Sequence, residues 1–181
     1  SISGKCPLEP SYPSNNWALL AQTCRLLEAP QDLCEREAAR MCAMLTGWTT
    51  RAGGFIDFPA RPQGRCSTPI AYHHKALFLT ALAWRTHPSP ELAAHAQRLL
   101  DWLIHCWDPA GFAGGLGRSN HALFGDACLI AGLLLLGGEQ ASFRNAVEAL
   151  AGRLAQQRRS DGLLWLVPGD PVSETTAWDD Y

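Results

Sequence analysis

The stretch Ser67–Ala83 constrains the fold more than any other part of the chain, because it joins a helix start to a helix body that is apolar on nearly every face. Thr68 is suited to the N-cap, and Pro69 would then occupy the first helical position, where its missing N–H costs nothing. From Ala76 onward the residues are almost all apolar, which is typical of a helix surrounded by other helices. The stretch therefore predicts the central helix of a helical assembly.

Five further helices are predicted from apolar periodicity and from helix start signals. Ser14, Ser89 and Ser119 are expected to cap three of them, and Pro90 falls at the first position of one. No strand alternation of any length competes with these helices, so the fold class is predicted to be all-α. The six helices are expected at 15–29, 30–46, 69–86, 90–107, 120–136 and 139–158, and residues 172–181 are expected to approach a seventh.

A repeat follows the even-numbered helices, since Gly-Phe occurs at 54–55 and 111–112 and Gly-Leu at 162–163. The intervals of 57 and 51 residues between these glycines correspond to one helical hairpin each. The repeat predicts stacked helical hairpins in a single domain that spans residues 1–181.

The stacking of hairpins predicts where functional residues meet. Long irregular segments precede the odd-numbered helices and tight turns follow them, so the N-termini of these helices should lie at one end together with the long loops, where binding groups usually sit. Polar residues are concentrated in four segments that would face this end: Asn15–Trp17, Tyr72–Lys75, Arg118–His121 and Thr175–Asp180.

Composition excludes several classes of function. The net charge of -2, the pI near 6.3 and the lack of long basic runs argue against nucleic-acid binding and against an electrostatic membrane anchor. The apolar run 127–136 is too short to span a bilayer. The seven cysteines form no CxxC pair, so neither a metal nor a cofactor is predicted. Their odd number slightly favours a reducing, cytoplasmic compartment, although a Cys6–Cys24 or Cys34–Cys66 bridge stays open.

Helical hairpins of this period, with apolar inner helices and polar inner N-termini, resemble the (α/α) toroids of carbohydrate-active proteins. The resemblance is to the toroid domains of polysaccharide lyases of the heparinase II/III and alginate-lyase kind. It implies an incomplete toroid of about three hairpins, because six hairpins would need roughly twice this length. A second copy of the chain, as a homodimer, or the remainder of a larger chain would complete the ring. The similar parts are Ser14–Trp17, Gly54–Pro59 leading to Tyr72-His73, and Gly117–Asn120 leading to Phe124-Gly125.

The resemblance implies lyase chemistry on an acidic oligo- or polysaccharide. Tyr72 or His73 would abstract the proton next to a uronate carboxylate, and Arg118, Asn120 or Asn16 would hold that carboxylate and stabilise an enolate-like transition state. The full set of catalytic candidates is Tyr72, His73, Arg118 and His121. The substrate-binding candidates are Asn16, Trp17, Asp57, His74, Lys75, Asn120, Trp178 and Asp179.

Two alternatives stay open at this point. A glycoside hydrolase on the same scaffold would need a carboxylate pair, for which Asp57 with Asp179 or Asp180 is the candidate. A non-catalytic helical-repeat module would bind a glycan or a partner protein without acting on it.

Overall fold

In the computed structural model, the described residues are 14–58, 68–108, 112–113, 123–137, 141–158 and 162. They form six helices and two strands of two residues each, so the predicted all-α fold of stacked helical hairpins is confirmed, whereas a toroid stays a prediction. None of the described helices has the length and the apolar character needed to cross a membrane. The elements are α1 (Asn15–Glu28), α2 (Cys34–Trp48), α3 (Ile70–Thr86), α4 (Pro90–Ile104), β1 (Trp107–Asp108), β2 (Phe112–Ala113), α5 (Leu123–Gly137) and α6 (Ala141–Gln156).

The described helices form two layers. In the inner layer α3 packs between α1 and α5, and in the outer layer α2, α4 and α6 each pack against the inner helix that precedes them. The apolar residues that the sequence places on every face of α3 are needed because helices contact it on three sides. The fully buried aliphatic side chains between the layers are Leu19, Leu26, Met41, Leu45, Leu77, Leu92, Leu99, Leu103, Leu129 and Leu150.

Two glycines of α5 show that α3 and α5 run parallel. A Cβ on Gly125 would lie 2.7 Å from the Cβ of Ala71, and a Cβ on Gly132 would lie 3.4 Å from the Cα of Phe78. The two glycines are seven residues apart in α5, and the residues they face are seven residues apart in α3 in the same order. The two helices therefore begin at the same end of the molecule. The lack of side chains at these glycines lets the helix backbones approach closely.

The repeat seen in the sequence corresponds to a short antiparallel pairing after each of the first two outer helices. Thr49 pairs with Phe55 in an isolated antiparallel bridge after α2, and β1 pairs with β2 in the same position after α4. In the first of these turns Gly53 has a φ of +102°, and a Cβ there would lie 2.5 Å from the carbonyl oxygen of Arg98. Only glycine fits this position without strain.

The N-cap residues predicted from the helix start signals are only partly confirmed. Ser89 accepts a hydrogen bond from the Leu92 N–H at 3.1 Å, as predicted for an N-cap. Thr68 instead accepts from the N–H of Asp57 at 2.9 Å, and α3 begins after it at Ile70. Ser14 donates its hydroxyl proton to Asp57 rather than capping α1, because the loop after α2 brings Asp57 between the starts of the two helices. Ser119 lies outside the described residues.

The second helix begins later than its proline suggests, since α2 starts at Cys34. The N–H of Leu33 donates to the Pro30 carbonyl at 2.8 Å in a turn before the helix. The five cysteines among the described residues are free thiols, and they include Cys24 and Cys34. Neither bridge left open by the sequence is therefore formed.

Candidate functional site

Asp57 joins the loop after α2 to the first turn of α1. Its side chain is fully buried, and its Oδ1 accepts from the Asn16 N–H and from the Ser14 hydroxyl, each at 2.8 Å. Its backbone carbonyl accepts from the Asn15 N–H at 2.7 Å. The first amide groups of a helix have no partner within the helix. Asp57 therefore caps α1 from 41 residues away in the sequence.

Asn16 connects this buried carboxylate to α3. Its Nδ2 donates to Asp57 Oδ1 at 2.8 Å and also to the Ser14 hydroxyl. The amide oxygen on the other side accepts from Lys75 Nζ at 2.8 Å. An ammonium group has donors only, so the atom that faces it is the oxygen.

Lys75 and Trp17 form a cation–π pair at the N-terminal end of the inner layer. The Lys75 ammonium lies 4.3 Å from the centroid of the Trp17 ring, and half of the Trp17 surface remains exposed. Burial lowers the pKa of Lys75, while Cys128 and Asp57 act in the opposite direction. Burial also raises the pKa of the Cys128 thiol, although Lys75 opposes this, so Cys128 is neutral near pH 7. Among the described residues, the negative charge that acts on Lys75 is then that of Asp57.

Tyr72 lies on the same uncovered stripe of α3 as Lys75. The half-buried residues of this otherwise buried helix include Tyr72, Lys75 and Phe78, which follow one another at three-residue spacing and share one face. The Tyr72 ring lies 5.8 Å from the Phe124 ring of α5, tilted by 32°. We call Trp17, Tyr72, Lys75 and Phe124 the mouth surface, because they come from the first turns of the three inner helices.

His73 does not belong to the mouth surface. It is buried, and its Nδ1 accepts from the Phe55 N–H at 3.1 Å while its Nε2 donates to the Leu99 carbonyl at 2.9 Å. Its ring also contacts that of Trp102, with centroids 4.4 Å apart. Burial lowers its pKa to about 4, although the bond to Leu99 opposes this. This imidazole therefore ties the loop after α2 to α4 and lies away from the mouth surface, and the proton-abstracting role expected of His73 stays a prediction.

His74 is buried on another side of α3, against α5. Neither of its ring nitrogens has a hydrogen-bond partner of normal geometry among the described residues. Burial, followed by the influence of His73, lowers its pKa to about 3, although an interaction with the backbone of Gly125 opposes this. Beyond it, Asp126 of α5 forms a buried ion pair with Arg153 of α6. The side chain of His74 does not reach the mouth surface, so the structure does not bring it together with the other candidates, and its expected substrate-binding role stays a prediction.

The structure brings together Asn16, Trp17, Tyr72 and Lys75 from the set expected of the sequence. Asp57, which was expected to contact the substrate directly, is buried behind Asn16. Two residues near the site were not among the candidates: Phe124, which was named only as part of the resemblance, and Cys128. They lie one helical turn apart in α5, and this i, i+4 spacing was the available signal. Five candidates lie outside the described residues: Arg118, Asn120, His121, Trp178 and Asp179.

Within the described part of the chain, no three His, Cys, Asp or Glu side chains come together in a way that could hold a metal ion. No protein-family model, no curated protein and no solved structure matches the chain.

Proposed function

We propose that the mouth surface binds an acidic oligo- or polysaccharide and acts on it by a lyase-like elimination. The observation that carries the proposal is the Lys75 ammonium held 4.3 Å from the centroid of the half-exposed Trp17 ring. An exposed aromatic face offers an apolar platform for a sugar ring, and an ammonium forms charge-assisted hydrogen bonds with a carboxylate. A uronate presents both features side by side, because its carboxylate is attached directly to the sugar ring.

Lys75 retains the capacity to bind a carboxylate. Its ammonium carries three donors, and Asn16 accepts one of them. Lys75 also lies in the first turns of α3, where the positive end of the helix dipole favours an anion. A uronate carboxylate bound at this point would have its charge neutralised, and charge neutralisation makes the neighbouring ring proton more acidic.

Tyr72 would supply the proton transfers. Its phenolate would take the proton from the ring carbon next to the carboxylate, and the electron pair of that C–H bond would form a carbon–carbon double bond. The glycosidic C–O bond on the adjacent carbon would break, and Tyr72 would return the proton to the leaving oxygen. Lys75 would stabilise the enolate-like charge that develops on the carboxylate between these steps.

Replacing Tyr72 with phenylalanine is expected to abolish elimination, because the hydroxyl is lost while the aromatic contact with Phe124 can be kept. The measurement is the ultraviolet absorbance of unsaturated uronate products during incubation with a panel of acidic polysaccharides. We expect a loss of at least about 100-fold in rate, as for removal of a general acid–base group. Thr86→Val removes a hydroxyl at the opposite end of α3 and should leave the rate unchanged. Wild-type rates in Tyr72→Phe, or no product from the wild-type protein on any polymer, would contradict the lyase function.

Binding without catalysis is the second candidate. The burial of His73 and His74 favours it, because Tyr72 is then the one residue of the mouth surface with a side chain that could transfer a proton as a phenol or an imidazole does. In that case acidic oligosaccharides would bind, while neither unsaturated products nor new reducing ends would form. A hydrolase is less well supported, because Asp57 is fully buried and a hydrolase needs both carboxylates at the glycosidic bond.

A further inference from the structure

We infer that Asp57 is a positioning residue of the glycan site: its carboxylate orients the Asn16 amide, and that amide holds the Lys75 ammonium against Trp17. The importance of this arrangement for glycan binding rests on the proposed function. The arrangement itself can be tested on the free protein.

The first step is the orientation of the amide. Asn16 is almost fully buried, and its NH₂ group donates to both Asp57 Oδ1 and the Ser14 hydroxyl. If the amide turned over, its oxygen would face the carboxylate and its NH₂ group would face the ammonium of Lys75. Both contacts would be repulsive, so the carboxylate selects the orientation in which the oxygen accepts from Lys75.

The second step is the charge. Asp57 and Lys75 form no direct ion pair, and the Asn16 amide lies between them. Among the described residues, the titratable groups that act on Lys75 are Cys128 from α5 and Asp57 from the loop after α2. The first turn of α1 contributes the uncharged Asn16 and Trp17. Because Cys128 is a neutral thiol near pH 7, the carboxylate of Asp57 is the negative charge among the described residues that favours the protonated form of Lys75.

The third step separates this role from simple helix capping. Burying a carboxylate is costly, and serine or threonine caps a helix about as well without that cost. The second oxygen of Asp57 has no hydrogen-bond partner among the described residues. Hydrogen bonds to these residues therefore offset only part of the cost of burying the carboxylate. A buried charge at this point is explained by the ammonium on the far side of Asn16.

The chain allows a direct test because it contains two lysines, Lys5 and Lys75. Lysine labelled with ¹³C at the ε carbon gives two side-chain signals, which Lys5→Arg assigns. In the wild-type protein the ring current of Trp17 should displace the Lys75 signal upfield. In Asp57→Asn we expect most of this displacement to be lost and the pKa of Lys75 to fall, since the positive charge loses its counter-charge. The titration is made in a Cys128→Ser background, so that no thiolate forms at high pH.

Matched variants keep the test decisive. Asp32→Asn removes an exposed carboxylate before α2 and should change neither the displacement nor the pKa. Asn16→Ala leaves Asp57 in place but removes the amide that lies between Asp57 and Lys75, so it should also abolish the upfield displacement of the Lys75 signal. This variant is measured instead if Asp57→Asn does not fold. A Lys75 signal that keeps its wild-type displacement in Asp57→Asn and in Asn16→Ala, or a wild-type pKa of Lys75 in Asp57→Asn, would overturn the inference. Failure of the proposed function gives a different result: the Asp57 effects persist, but no acidic oligosaccharide moves the Lys75 signal.

Discussion

Replacing Gly125 with valine is expected to destabilise the protein by about 3 kcal/mol, at the upper end of the usual cost of overpacking a core. A Cβ at this position would lie 2.7 Å from the Cβ and 2.9 Å from the Cα of Ala71. The nearest atoms belong to the backbone and first side-chain carbon of α3, so they cannot rotate out of the way. The helices would have to separate, which would uncover the core on both sides. Chemical denaturation monitored by circular dichroism measures the change.

Gly152→Ala is the matched control, because Gly152 also lies inside a helix. A Cβ there would meet nothing within 4 Å, so alanine should stabilise the protein by up to about 1 kcal/mol through its higher helix propensity. The two glycines are therefore expected to give changes of opposite sign. If Gly125→Val were as stable as the wild type, the close parallel packing of α3 and α5 would be contradicted.

Lowering the pH from 7 towards 3 is expected to remove several kcal/mol of stability through His73 and His74. Their pKa values in the folded protein are lowered to about 4 and about 3, mainly by burial, whereas in the unfolded chain both should be near 6.5. As the pH falls below 6.5, the unfolded chain takes up protons first. The stability contributed by the two neutral imidazoles is thus fully present above pH 6.5. It is lost as the pH falls towards the folded-state pKa values, by several kcal/mol for the pair together.

The two adjacent histidines should respond differently to substitution by leucine. His73→Leu leaves the Phe55 N–H and the Leu99 carbonyl without their partner, at a cost of about 2–4 kcal/mol at pH 7. His74→Leu removes two ring nitrogens that make no hydrogen bond of normal geometry with the described residues and at most a weak contact with the Gly125 backbone, so it should change stability little at pH 7 and make the acid dependence shallower. Denaturation at pH 7 and at pH 5 separates the two. Equal losses at pH 7, with unchanged acid dependence, would contradict the different environments of the two side chains.

The sequence predicted the helices well because the signals involved are local. The Ser89-Pro90 start, the apolar body of α3 and the repeated Gly-Phe turns are all features of a few consecutive residues. The environment of His73 and His74 could not be predicted in this way. Successive residues of a helix point about 100° apart, and what each imidazole meets depends on where α4 and α5 lie.

The role of Asp57 was missed for a related reason. Its partners in α1 are 41–43 residues away in the sequence, and nothing within the loop after α2 indicates that its carboxylate turns inward to a helix N-terminus. Trp17 and Lys75 were both expected at this end of the molecule, but their direct contact depends on the lateral packing of α1 on α3. The sequence therefore predicted the end of the molecule at which Trp17 and Lys75 lie, and not the hydrogen-bond network around them.

The central claim is that Lys75 and Trp17 recognise an acidic sugar. The most direct measurement follows the ε-carbon signal of Lys75 during titration with a uronate oligosaccharide, and with the same oligosaccharide after its carboxylates have been reduced to hydroxymethyl groups. We predict a saturable shift with the acidic form, little change with the reduced form, and at least about tenfold weaker binding in Trp17→Ala, as for the loss of an aromatic contact of 1.4 kcal/mol or more. A Lys75 signal that moves with neither form, or equally with both, would contradict the claim.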